Sequence, residues 1–364
     1  MTILDQLFSE YGQSPWLDNL RREWLHSGEL QSWIDKGVRG LTSNPSIFEK
    51  AISDSEAYDD QFQSLIQSGS TIEDAYWSLV QTDIADALVL MEPIYDSSNG
   101  LDGYVSVEVD PRLARDTRAT IDAARFLDEQ LKSKNLYIKI PGTKEGLPAI
   151  QEMISEGRSI NVTLLFSLER YSEVIESYIS GLEARDGDLS NISSVASFFI
   201  SRTETEVDSR LEAIGTSDAL DLKGKTAVSQ GQLAYKIFLE QFNTDRWKAL
   251  ENRGARVQRP LWASTSTKNP TYPDTLYVDQ LIGPDTVNTL PDGTLAAFLD
   301  HGNLARTIDA SFETATGILQ RVEALGVDLD DVAEKLEREG VRSFETSFEN
   351  LLITLSKKAG SLHT

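Results

Sequence analysis

Residues 104–111 read YVSVEVDP and residues 136–143 read LYIKIPGT. The first alternates strictly: Val105, Val107 and Val109 take one face, Ser106 and Glu108 the other. That is the pattern of a strand with an apolar side. In the second, Ile138 and Ile140 share a face, Tyr137 and Lys139 share the opposite one, and Pro141-Gly142 closes the segment. Between them Leu113, Ala123, Ala124, Phe126 and Leu127 are set among charged residues as on a helix. Strand, helix and strand in that order make a parallel βα unit.

The unit repeats in both directions. Toward the N-terminus the pattern predicts a helix over 1–14, a short strand at 15–20 and a helix over 21–36 closed by Gly37. A strand follows at 38–43, and Asn44-Pro45 turns the chain into another helix, with further helices over 56–66 and 71–90. Toward the C-terminus come a helix over 145–155, the strand INVTLLFS (160–167) and a helix over 167–185. SSVASFFISR (193–202) is the next strand, followed by helical segments over 203–215 and 225–252. RPLWASTSTKNP (259–270) gives a seventh strand and a polar loop, and DTVNTLPDG (285–293) an eighth. Helices over 294–300, 303–324, 327–338 and 341–357 complete the chain. Eight strands in one series with helices between them predict an α/β fold, a (β/α)8 TIM barrel. The 364 residues exceed the roughly 250 of a minimal barrel, and extra N-terminal and C-terminal helices take up the surplus. With no repeat and no break in composition, residues 1–364 read as one domain. An open doubly wound sheet is the alternative.

Composition narrows the function. No apolar run approaches the about 18 residues of a membrane span, and the N-terminus has no basic-then-apolar leader pattern. There is no cysteine, and the three histidines, His26, His301 and His363, are far apart. Disulfides, thiolate nucleophiles and a metal site are therefore not expected, and the cytoplasm is the expected location. A net charge of -24 argues against nucleic-acid and membrane partners. It also means that an anionic substrate would require a few cations gathered at one place. The chain suits a monomer or a homodimer equally.

Chemistry in a barrel sits at the C-terminal ends of several strands. Here Asp18 ends the first strand, and Thr42 and Asn44 share a face at the end of the second. Ser106 and Glu108 lie on the third, Lys139 on the fourth, Asn161 and Thr163 on the fifth and Ser197 on the sixth. Singly, each has an ordinary explanation: a helix cap, a satisfied core hydroxyl, or a lysine on the wet side of an edge strand. Jointly, six successive strands end in polar groups of inward parity, which packing explains poorly. The chain has no HExxH, no GxxxxGK[ST] and no GxGxxG after a strand. Withdrawal from water disfavours a charged amine, and a neutral amine is a nucleophile. A lysine inside a barrel without metal ligands or a bound cofactor points to imine chemistry on a carbonyl compound.

WLDNL (16–20), GLTSNPSIF (40–48), VSVEVDP (105–111), LYIKIPGT (136–143), INVTLLFS (160–167) and ASFFISR (196–202) together resemble transaldolase, a family of Schiff-base aldolases, over residues 15 to 310. WASTSTKNP (262–270) and the length resemble its longer subfamily. The resemblance implies a (β/α)8 barrel that moves a dihydroxyacetone unit between sugar phosphates. Sedoheptulose 7-phosphate and glyceraldehyde 3-phosphate would give erythrose 4-phosphate and fructose 6-phosphate, in the non-oxidative pentose phosphate pathway.

By match to the family motifs, Lys139 is the Schiff-base nucleophile and Asp18 the base for carbon–carbon cleavage. The same match implies that Glu108 and Thr163 would position a proton-shuttling water, that Asn44 and Ser197 would hold the three-carbon unit, with Asn161 nearby, and that Arg202 would bind phosphate. The family's second phosphate arginine has no counterpart in STSTK, where Lys268 with Ser266 is the expected substitute. Two alternatives stand beside this reading. One is a fructose 6-phosphate aldolase, whose members tend to have glutamine and tyrosine where this chain has Glu108 and Phe199. The other is a sugar-phosphate-binding barrel without catalysis, in which loss of Lys139, Asp18 or Glu108 would be expected. His301 reads as structural.

Overall fold

Eight strands pair in parallel in chain order and close on themselves in the computed structural model, which describes residues 1–361. His363 lies outside the described residues. The strands are β1 (Gln13–Leu17), β2 (Leu41–Thr42), β3 (Val105–Glu108), β4 (Leu136–Pro141), β5 (Ile160–Leu165), β6 (Ser194–Phe199), β7 (Arg259–Ala263) and β8 (Thr286–Leu290). The decisive pairing is β1 with β8, in register from Gln13↔Thr286 to Leu17↔Leu290. An open doubly wound sheet would leave those two strands apart, so the barrel reading holds.

Alternation along the strands sorts the apolar residues into two layers. Val105, Val107, Val109, Ile138, Ile140 and Val162 face outward into the layer beneath the helices. Trp16, Tyr104, Tyr137, Val195, Leu261 and Val287 form a separate interior cluster. Tyr104 and Tyr137 stack with centroids 4.1 Å apart, and Trp16 lies 5.9 Å from Tyr137. Gly40 makes room for the indole: a Cβ there would stand 2.4 Å from the Trp16 ring.

Below these rings the barrel is plugged by a buried ionic network. Asp102 accepts from Arg39 Nε at 2.7 Å, Arg259 Nη2 at 3.0 Å, Ser14 Oγ at 2.8 Å and Trp16 Nε1 at 3.1 Å. Burial pushes the Asp102 carboxyl up, but Arg259 and Arg39 outweigh it and hold it below the usual range. Aromatic rings and a saturated ion network thus fill the lower barrel and leave the upper half to polar side chains.

Several helices differ from expectation. The segment 21–36 breaks at Gly28 (φ 83) into Arg22–Ser27 and Glu29–Asp35. The segment 225–252 divides into Thr226–Gln241 and Asp245–Glu251, the second capped by Thr244. The helix expected to end near residue 90 runs as Ile72–Ser97, with Pro93 inside it. The two C-terminal helices are a single one, Leu329–Ser361, passing through Gly340 without a break. Among the described residues no helix is long and apolar enough to cross a membrane.

Candidate active site

The upper ends of the strands surround a recess of about 380 Å³. Its floor is set by register. Glu108 on β3 pairs with Lys139 on β4, and Lys139 pairs with Asn161 on β5, so three inward side chains stand at one height. Thr163 is one inward step higher, opposite Pro141.

Lys139 is buried, and its Nζ lies 3.2 Å from Glu108 Oε2 and donates to the Ser43 carbonyl at 3.1 Å. Burial lifts the Glu108 carboxyl above its ordinary range despite the attraction of Lys139. Apart from that ion pair, neither Glu108 oxygen has a partner among the described residues, and the buried Thr163 hydroxyl has none. Buried polar groups are normally satisfied by protein, water or ligand, so these atoms are open to a water or a substrate group.

Asp18, just past the end of β1, is half-buried and lines the same recess as Lys139. Burial raises its carboxyl above the usual range, against the pull of Lys139 and of a hydrogen bond from Thr42. Thr42 Oγ1 donates to Asp18 Oδ1 at 2.7 Å and lies 2.6 Å from Thr289 Oγ1. A hydroxyl has one proton, so when Thr42 gives it to Asp18, Thr289 must donate to Thr42. A relay from β8 through β2 therefore fixes the carboxylate on β1.

The amide and hydroxyl positions are directional. Asn161 Nδ2 donates to Ser106 Oγ at 3.0 Å, and its Oδ1 accepts from Ser197 Oγ at 2.8 Å. Ser197 thus spends its proton on Asn161 and faces the recess as an acceptor. Asn44 caps the helix Pro45–Ser53 by accepting from the Ile47 amide at 3.0 Å, which leaves its side-chain nitrogen as the free donor.

Cations gather at the rim. Arg202 lies over Phe199 (5.1 Å) and Phe344 (5.8 Å), and no carboxylate among the described residues forms an ion pair with it. Lys268 donates to Ser266 Oγ at 2.7 Å, and burial, then Arg202, push its ammonium down. Arg21 and Lys50 also line the recess. Four cations around one opening in so acidic a chain make a focused anion site.

Of the expected residues, Asp18, Asn44, Lys139, Thr163, Ser197, Arg202, Ser266 and Lys268 line the recess. Glu108 and Asn161 stand behind it, reaching it through Lys139 and Ser197. Residues not expected are Thr289, Arg21, Lys50 and Phe344. Parity on β8 points to Thr289, but Phe344 comes from the C-terminal helix and carries no strand signal. His301 pairs with Asp274 and Asp300 at the surface. Among the described residues no group of three His, Asp or Glu is arranged to hold a metal.

Comparison with known proteins gives the family of the chain. A family profile described as transaldolase/fructose-6-phosphate aldolase matches residues 15–355. Transaldolase 2 of Streptomyces coelicolor is 48% identical over 357 residues, covering 97% of this chain and 96% of the relative. The transaldolase of Parafrankia sp. is 48% identical over 358 residues, 97% of each chain. That of Thermobifida fusca is 48% identical over 364 residues, 99% of each. With the eight-stranded barrel and a lysine buried at its mouth, this chain belongs to the transaldolase/fructose-6-phosphate aldolase family.

Proposed function

We propose that the recess transfers a dihydroxyacetone unit from sedoheptulose 7-phosphate or fructose 6-phosphate to an aldehyde acceptor, glyceraldehyde 3-phosphate or erythrose 4-phosphate. The relatives above carry the name transaldolase, which supports this reading; the same proposal puts the enzyme in the non-oxidative pentose phosphate pathway, in the cytoplasm. The observation that carries the reading is the buried Lys139, paired with Glu108 behind it and lining one recess together with Asp18.

Lys139 Nζ attacks the ketose carbonyl once it has lost its proton. Glu108, 3.2 Å away with a raised pKa, is suited to move protons as the carbinolamine loses water. The unsatisfied hydroxyl of Thr163 is the natural second anchor for a water serving that step. The imine then draws electrons from the C3–C4 bond while Asp18 removes the C4 hydroxyl proton, and the remaining three carbons are held as an enamine. Asn44 as donor and Ser197 as acceptor match the hydroxyls of that unit. Arg202, with Lys268 and Ser266, binds the substrate phosphate.

Borohydride reduction in the presence of fructose 6-phosphate should fix a three-carbon unit on the peptide containing Lys139. A label elsewhere, or full activity in Lys139→Ala, would overturn the mechanism. Aldolase activity is the second reading, because the family's description includes it. Sustained multiple-turnover release of dihydroxyacetone without an acceptor would favour it over transfer.

A further inference from the structure

The C-terminal helix Leu329–Ser361 crosses the barrel mouth and closes one side of the recess with Phe344. The ring is buried, 5.9 Å from Lys139 Nζ and 5.8 Å from the Arg202 guanidinium. One turn earlier, Gly340 brings the helix down onto the barrel: a Cβ there would stand 3.0 Å from Leu164 Cδ2 and 3.5 Å from Arg202 Nη1. Leu164 in turn adopts a left-handed backbone (φ 61) at the irregularity in the β5–β6 pairing, directly after Thr163. Such a conformation costs a non-glycine residue about 1–2 kcal/mol. It puts Leu164 in one apolar cluster with Phe166, Phe199, Leu336 and Phe344.

The helix is fastened around this contact. Glu337 pairs with Arg115 at 2.6 Å and Arg170 at 3.4 Å, Ser347 bonds Ser46 at 2.7 Å, and Phe348 packs edge-on against Tyr76 at 5.0 Å. Phe344 is therefore a fixed apolar ceiling above the reacting nitrogen.

We propose that Phe344 is a specificity-determining residue that sets transfer against hydrolysis. The inference rests on the Schiff-base reading above. The three-carbon enamine on Lys139 has two fates. C3 can form a carbon–carbon bond to an acceptor aldehyde, whose oxygen takes up a proton; the new imine then adds water at C2 and the C–N bond breaks, releasing the longer ketose. Alternatively, C3 takes a proton, water adds to C2, and the C–N bond breaks with Lys139 taking back a proton, releasing free dihydroxyacetone. Both fates end in hydrolysis at C2, so the ratio is decided at C3, where the second fate needs water to deliver a proton. An aromatic ring fixed about 6 Å from the nitrogen withholds water from one side of the three-carbon unit while the open side admits the aldehyde.

The test is the ratio of free dihydroxyacetone to transfer product at fixed acceptor concentration, in native enzyme, Phe344→Ala and Phe344→Leu. Misfolding lowers both products and leaves their ratio unmoved, so the ratio reports the ceiling. Phe344→Ala should raise it on the order of tenfold, and Phe344→Leu, which keeps an apolar cap, should restore it to within about twofold of native. If Phe344→Ala does not fold, Phe344→Gln decides the question, because it keeps bulk and offers water a partner. A native ratio in either polar or truncated variant that still traps three carbons on Lys139 overturns the proposal. Absence of trapping in the native enzyme overturns the Schiff-base reading instead.

Discussion

Glu108 faces Lys139 across the β3–β4 pairing at 3.2 Å, and among the described residues no other hydrogen-bonding group reaches its carboxylate. A buried acid whose one partner is the nucleophile is suited to exchange protons with it. Burial lifts the carboxyl, which brings it closer to the pH at which an acid–base catalyst is most effective. Glu108→Gln keeps the shape and removes the exchangeable proton. It should slow formation of the borohydride-trappable adduct on the order of 100-fold. An unchanged rate of adduct formation would remove Glu108 from the proton path.

Asp18 must be ionised to accept the C4 hydroxyl proton, and burial raises its pKa. A raised pKa means the proton is retained to higher pH, so the acid limb of kcat should lie above the ordinary aspartate range. Thr42 opposes that shift by donating to Asp18 Oδ1 at 2.7 Å. Thr42→Val removes the hydrogen bond at nearly constant volume and should move the acid limb to still higher pH. A pH profile that is unchanged, or moves the other way, would show that Asp18 is not the group being titrated.

Arg202 and Lys268 should act on binding, because the phosphate they would hold does not change charge during the reaction. Lys268→Ala removes one charged contact, a loss of about 1.5 kcal/mol that raises KM for phosphorylated substrates about tenfold with kcat little changed. Steady-state kinetics with glyceraldehyde in place of glyceraldehyde 3-phosphate supplies the control: there the kcat/KM for the acceptor should match between the variant and the native enzyme. An equal loss on both acceptors would assign Lys268 to loop structure.

Local alternation made most of the site legible. Ser106, Glu108, Lys139, Asn161 and Ser197 sit on strands whose period of two fixes their face, and neighbouring registers bring them together. The barrel was legible for the same reason, since eight such segments recur between helical ones. The continuity of the C-terminal helix was not. Gly340 reads as a break because its cost is local, whereas the contacts with Leu164 and Arg202 that favour it come from 138 residues or more earlier in the chain. Phe344 could not be placed over Lys139 for that reason, nor could the inverted Leu164 backbone be read from an apparently regular strand.

Glu204 extends the argument about buried carboxyls from catalysis to stability. It follows Arg202 by two residues, is 1% exposed, and accepts from the amides of Thr226 and Ala227 at 3.1 and 3.2 Å. Burial, then the nearby Asp208, push its pKa from 4.5 to about 8. Between those values the folded protein keeps a proton that the unfolded chain has released, so folding stability falls as pH rises. One such group contributes a slope of at most about 1.4 kcal/mol per pH unit. Denaturant unfolding at intervals from pH 5 to pH 8 should show this decline, and Glu204→Gln, which cannot ionise, should flatten it even if its absolute stability is lower. Equal slopes in the two proteins would mean that Glu204 titrates alike in the folded and unfolded states.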